Sequence, residues 1–175
     1  MRTSYILQKQ LEMVLLLLNP DNRLVCQVML HTGLRVSDVL NLKTAQIGRS
    51  FCVKESKTGK LRRVGLPDWL TAEIKRRAGR SEWAFPSPVD RRKHRTRQAV
   101  WKDIKRVARY GKVTGNAGTH SMRKNYAVDL MHKYGDIKPV QKALNHGNSS
   151  VTMLYALADH FVESAPLRRS VKPRR

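Results

Sequence analysis

Apolar positions recur along this chain mostly at helical spacing and change to strand spacing in one place. Residues from about Thr3 to Leu18 carry one apolar face and stop at Asn19-Pro20, because the residue before a proline is driven away from helical geometry. The next stretch, about Asp21 to Leu30, is heavily apolar (Leu24, Val25, Val28, Met29, Leu30), which predicts a central helix. His31-Thr32-Gly33 breaks it, and a short helix follows through Leu34, Arg35, Asp38, Leu40 and Leu42. Ser50 to Glu55 and Leu61 to Leu66 read as two strands, with Ser56-Lys57-Thr58-Gly59 as the hairpin turn. Pro67-Asp68 opens a helix to about Arg77, and Trp83-Ala84-Phe85-Pro86 is a short apolar anchor. Gln98 to Tyr110 is a basic amphipathic helix that turns Val100, Trp101, Ile104, Val107 and Ala108 to the core. Thr119 is placed to cap a helix carrying His120 and Arg123, which ends at a glycine-marked turn, Tyr134-Gly135-Asp136. Ser149 or Ser150 caps a last helix carrying Tyr155, and His146 lies in the polar turn before it. The predicted fold class is mainly α with one small β-hairpin, and no repeat is apparent.

Composition narrows the partners. The 175 residues suffice for one domain with a tail, and 41% apolar content predicts a globular core. The formal net charge is +22, from 35 Lys and Arg against 13 Asp and Glu. Such an excess opposes compaction and calls for a polyanion, with nucleic acid the leading candidate. A membrane surface fits less well, since no basic helix carries an aromatic-rich face. The run Met13 to Leu18 is too short to span a bilayer, and the chain shows no secretion signal. Cys26 and Cys52 sit among apolar residues without metal-ligand spacing, which predicts two buried, reduced thiols in a cytoplasmic protein. Candidate DNA-binding residues are Lys54 and Lys60 beside the hairpin tip, and Arg91, Arg92, Lys93, Arg95 and Arg97 in the basic loop. Lys102, Lys105, Arg106 and Arg109 on the basic helix, and Lys124, complete the set. Basic residues such as Lys102, Lys105, Arg106 and Arg109 are expected to position the backbone rather than read bases. Leu167 to Arg175 carry five Arg or Lys and no acid, which predicts a mobile basic tail.

Several side chains suit phosphate chemistry. Arg35 stands where a turn meets a helix start, with Asp38 three residues on to fix its guanidinium. A surface arginine with a local ion pair is the plain alternative. Arginine does, however, grip two phosphate oxygens at once, which lysine cannot. Lys57 at a hairpin tip is either an ordinary solvated lysine or an ammonium inserted into a DNA groove to protonate a leaving alkoxide. His120 and Arg123, three apart, put two phosphate-binding donors on one helix face. The phenol of Tyr155, of ordinary pKa about 10, becomes a nucleophile only where cations stabilise its phenolate. The same cations would stabilise a five-coordinate phosphorus. No carboxylate cluster or His/Cys set has metal-ligand geometry, so no metal and no cofactor is expected.

Taken in order, T-G-L-R-V-S-D, the hairpin K-T-G, T-H-S-M-R, L-N-H-G and Tyr155 nine residues after His146 resemble the catalytic domain of the tyrosine recombinase (phage integrase) family. The resemblance covers about residues 5 to 160. It implies that Arg35 and Arg123 clamp the scissile phosphate and that Lys57 is the general acid for the 5′-oxygen. His120 would be a base or hydrogen-bond partner, and His146 would take a place held by His or Trp. Tyr155 would be the nucleophile forming a 3′-phosphotyrosyl linkage, with Asp38 in an orienting role. Asn145 stands where the family usually has glycine, and asparagine tolerates the left-handed backbone such a turn needs. The expected organisation is a catalytic domain over residues 1–160 and a basic tail over 161–175. The N-terminal core-binding domain that members generally carry is not expected, so the chain is either a minimal recombinase or a fragment.

The resemblance further implies double-stranded DNA as partner and a tetramer on two duplexes when active, with a monomer in the absence of DNA. An accessory DNA-bending or DNA-binding protein is a further expected partner. The leading expectation is site-specific strand exchange through Tyr155. The alternatives are topoisomerase-like nicking and closing, and a catalytically idle DNA-binding module. Residues Asp159 to Arg175 would pack against a neighbouring protomer or contact DNA.

Overall fold

Helix α2 (Pro20–Thr32) is the hub of the molecule, which we describe from a computed structural model over residues 3–135 and 137–144. Leu24, Val25, Cys26, Val28 and Met29 are all buried, as expected of a heavily apolar central helix. Around it pack α1 (Gln8–Leu17), α3 (Val36–Leu40), α4 (Asp68–Ala78), α5 (Arg97–Tyr110) and α6 (Thr119–Tyr134). The start of α2 is set locally: the Asn19 side chain accepts from the Asp21 N–H at 3.0 Å, and Pro20 occupies the first turn. Its end is set by Gly33, whose φ of 64° is left-handed. α7 (Ile137–Leu144) packs on α6 through a small second cluster of Ala127, Val128, Val140 and Leu144.

The β1 (Ser50–Lys54) and β2 (Leu61–Gly65) strands pair antiparallel, in a register running from Ser50 opposite Gly65 to Lys54 opposite Leu61. Phe51 and Val53 point inward with Val64. The alternation that buries them turns Cys52 outward, so the expectation of two buried thiols fails for Cys52. Cys26 is buried, and loss of water with Asp103 nearby pushes its thiol up to about 12.

Three further expectations are corrected. The first helix begins at Gln8, and residues 3–7 form an extended strap instead. The buried Asn125 side chain dictates this, accepting from the Ile6 N–H at 3.2 Å and donating to the Ile6 carbonyl at 2.7 Å. Ser4 adds a backbone bond to the Asn116 carbonyl at 2.9 Å. Thr119 is the first helical residue of α6, not its cap. Gly118 holds the cap position, and the Ser121 hydroxyl accepts from its N–H at 3.1 Å. Trp101, expected in the core, is 44% exposed. Among the described residues no helix is long and apolar enough to cross a membrane.

Candidate active site

The turn between α2 and α3 is built for close approach. A Cβ on Gly33 would fall under 3.0 Å from two carbons of the Tyr126 ring on α6, so that ring lies directly on the glycine. The carbonyls at the end of α2, which lack partners within the helix, then collect cations, as the negative end of a helix dipole favours. Arg62 donates to the Thr32 carbonyl and Arg123 to the Gly33 carbonyl. Arg123 also donates to the Leu144 carbonyl at 2.7 Å, and it is only 2% exposed. Burial, and then repulsion from Arg35, push its pKa down to about 10, which leaves it cationic at neutral pH.

Arg35 follows at the start of α3. Its Nη1 lies 3.1 Å from the Glu55 carboxylate and 3.9 Å from Asp38 Oδ2. Both carboxylates are fully buried. Asp38 Oδ1 accepts from the Ser56 N–H at 2.9 Å. Glu55 accepts from Thr58 Oγ1 at 3.0 Å and from Arg62 at 3.5 Å. Burial opposes ionisation of Glu55, but the hydrogen bonds from Thr58 and Arg35, with the charges of Arg35 and Arg123, hold its pKa below the usual range.

Above this layer runs an open groove of about 970 Å³, lined by Arg35, Ser37, Ser56, Lys57, Arg97, Trp101 and His120. His120 sits one residue into α6 with its ring open to the groove. Partial withdrawal from water, and then Arg123, Arg35, Arg97 and Lys124, lower its pKa, which favours the neutral imidazole. Lys57 is exposed at the hairpin tip. The groove thus combines two guanidiniums, an ammonium and an imidazole acceptor, all underlain by buried carboxylates and Arg123. That arrangement suits a phosphodiester whose charge rises during reaction. Among the described residues no group of three or more His, Cys, Asp or Glu side chains is gathered for a metal ion.

The structure brings together Arg35, Asp38, Lys57, His120 and Arg123 from three separate parts of the chain. His146 and Tyr155 lie outside the described residues. The other cations divide. Arg97 lines the groove, and Lys54, Lys60, Lys102 and Arg109 are exposed. Arg95, expected on the DNA-facing surface, is instead buried and paired with Asp21 at 2.7 Å. Arg91 donates to the Arg77 and Ala78 carbonyls at 3.3 and 2.7 Å, closing the end of α4. Arg92 and Lys93 pair with Asp90 at 3.2 and 3.8 Å. Arg106 pairs with Asp103 at 2.6 Å, Lys105 binds the Asn116 side chain, and Lys124 holds the Thr3 carbonyl at 2.6 Å.

Sequence reasoning missed Glu55, Thr58 and Arg62. A signal existed: Phe51, Val53 and Glu55 share one strand face, and Arg62 stands opposite Val53. A charged residue on each inward face, close in the hairpin, is a buried pair in outline.

Comparison with known proteins identifies the family. Residues 5–160 match the Phage integrase family, and the chain belongs to that family of tyrosine recombinases. It is 33% identical over 156 residues to tyrosine recombinase XerA of Pyrococcus furiosus, covering 82% of this chain and 53% of that protein. It is 30% identical over 173 residues to the integrase of Escherichia phage P2, covering 95% of this chain and 48% of that protein. In fold it matches a lambda integrase dimer bound to a COC′ core site, with TM-score 0.75 and 19% identity, over 100% of this chain and 51% of that one. The chain therefore spans about half the length of each of these three proteins.

Proposed function

We propose that this chain is the catalytic unit of a site-specific DNA recombinase that cleaves and rejoins DNA through Tyr155. One observation carries the reading: Arg35, Lys57 and His120 converge on one groove, with Arg123 bound beneath it to the carbonyl that ends α2. In the reaction, Arg35 and Arg123 hold the non-bridging oxygens of the scissile phosphate, Arg35 from the groove and Arg123 from beneath it, by exchanging a carbonyl partner for phosphate. The Tyr155 oxygen attacks phosphorus as its proton passes to the neutral imidazole of His120. The bond from phosphorus to the 5′-oxygen breaks, and the Lys57 ammonium gives that oxygen its proton. A 3′-phosphotyrosyl link remains, and attack by another 5′-hydroxyl reverses the steps. His146 supports the phosphate from the segment after α7. Leu144, two residues earlier in the sequence, is bound to Arg123 through its carbonyl.

The catalytic unit corresponds to residues 1–160, and residues 161–175 form a basic extension. Double-stranded DNA is the partner, and strand exchange requires several protomers on two duplexes, a reading consistent with the DNA-bound dimer seen for lambda integrase. The test is covalent trapping. Duplex DNA from the chain's genomic neighbourhood, nicked so that the cleaved fragment diffuses away, is incubated with protein and denatured. We expect a protein–DNA adduct that disappears in Tyr155→Phe. Tight binding without an adduct would defeat the reading and leave a DNA-binding module.

A further inference from the structure

We propose that Glu55 is a positioning residue that ties the Lys57-bearing hairpin tip to Arg35, so that proton donor and phosphate clamp share one buried carboxylate. The inference rests on the reaction proposed above and assigns a residue which that reaction does not use. Glu55 extends the inward face of β1 by one step and is completely buried. One of its oxygens, Oε2, accepts both from Arg35 Nη1 at 3.1 Å and from Thr58 Oγ1 at 3.0 Å. Its backbone closes the same turn, donating to the Lys60 carbonyl at 3.0 Å and accepting from the Gly59 N–H at 2.8 Å. On the other side of the tip, the Ser56 N–H is held by Asp38 Oδ1 at 2.9 Å. Both chain neighbours of Lys57 are therefore anchored to carboxylates that face Arg35.

Burying a carboxylate is costly unless charges and hydrogen bonds compensate it. Arg35 and Arg62 already supply that compensation. The Thr58 bond shares in it, although Thr58 is exposed and its hydroxyl has water available. What the bond adds is a fixed direction for the tip. A hairpin tip without it would still carry an ammonium, but one sampling many positions relative to the leaving oxygen, and proton transfer depends on that distance.

The test uses two nicked duplexes that differ only at the scissile phosphate, one with the natural 5′-bridging oxygen and one with sulfur there. A thiolate leaves without prior protonation, since thiols ionise near pH 8.5, approximately. The sulfur duplex therefore bypasses the proton donor but still needs the phosphate clamp. Lys57→Ala sets the reference for a defect that sulfur repairs. Thr58→Val removes the hydroxyl at an exposed position and leaves the Arg35–Glu55 pair intact. We expect it to slow cleavage of the oxygen duplex about tenfold, a part of the roughly hundredfold or more that a placed general acid contributes, and to cleave the sulfur duplex at the wild-type rate. Glu55→Gln should slow both duplexes, the oxygen one more, because it weakens clamp and donor together. Thr58→Val cleaving the oxygen duplex at the wild-type rate, or slowing both duplexes equally, overturns the inference while the reaction stands. Wild-type protein that forms no adduct with either duplex overturns the reaction, and this inference with it.

Discussion

Replacing Gly33 with alanine should disturb the site from beneath, by two separable routes. The first is backbone: φ of 64° costs a side-chain-bearing residue about 1 kcal/mol relative to glycine. The second is steric. The added Cβ would meet the Tyr126 ring at under 3.0 Å, so the ring or α6 must shift. Overpacking of this kind costs about 1–3 kcal/mol, and the total is then about 2–4 kcal/mol. The shift matters for function because the Gly33 carbonyl is the Arg123 partner, and Tyr126 lies one turn beyond Arg123 on the same helix. A double-mutant cycle separates the two routes, with stabilities from guanidinium denaturation. In a Tyr126→Ala background the clash is gone and only the backbone cost remains, so Gly33→Ala should then cost about 1 kcal/mol. An equal cost in both backgrounds would refute the claim that Tyr126 sits on Gly33.

Two further outcomes are expected. Lys102 and Arg109 are exposed on α5 and form no ion pair among the described residues, so Lys102→Gln with Arg109→Gln should weaken binding to all DNA sequences alike. The plot of log affinity against log salt should flatten by about two units, approximately 0.9 for each phosphate left without its cation, and a weakening confined to one sequence would contradict a backbone role. The lowered pKa of His120 makes stability fall on the acid side. As pH drops below the unfolded histidine value of about 6.5, the unfolded chain takes up a proton that folded His120 resists, so stability present above that pH is lost below it. The denaturation midpoint of His120→Gln should fall less between roughly pH 6.5 and pH 5 than that of the wild type, and parallel profiles would count against the assigned shift.

How much of this was legible in the sequence depended on how far away the deciding partner lay. The hairpin, α2 and the Thr32–Asp38 turn were visible because alternation, a dense apolar run and a glycine before Arg35 act locally. The strap before α1 was not, since Asn125 sets it from 119 residues away and overrides the apolar periodicity. Trp101 follows the apolar stripe of α5 but faces the groove, where a hydrophobic pattern carries no information about what is left uncovered. The cations show the limit most sharply. A net charge of +22 points to a polyanion, yet it says nothing about which cations face one. Arg95 is drawn inside by Asp21, 74 residues earlier, and Arg62 and Arg123 are turned onto the carbonyls that end α2. Arginine suits both uses, because its planar fork satisfies carbonyls and carboxylates as well as it does phosphate. Near the groove the two uses merge: cations fixed by the protein's own oxygens form the rigid floor on which Arg35, Lys57 and His120 are presented.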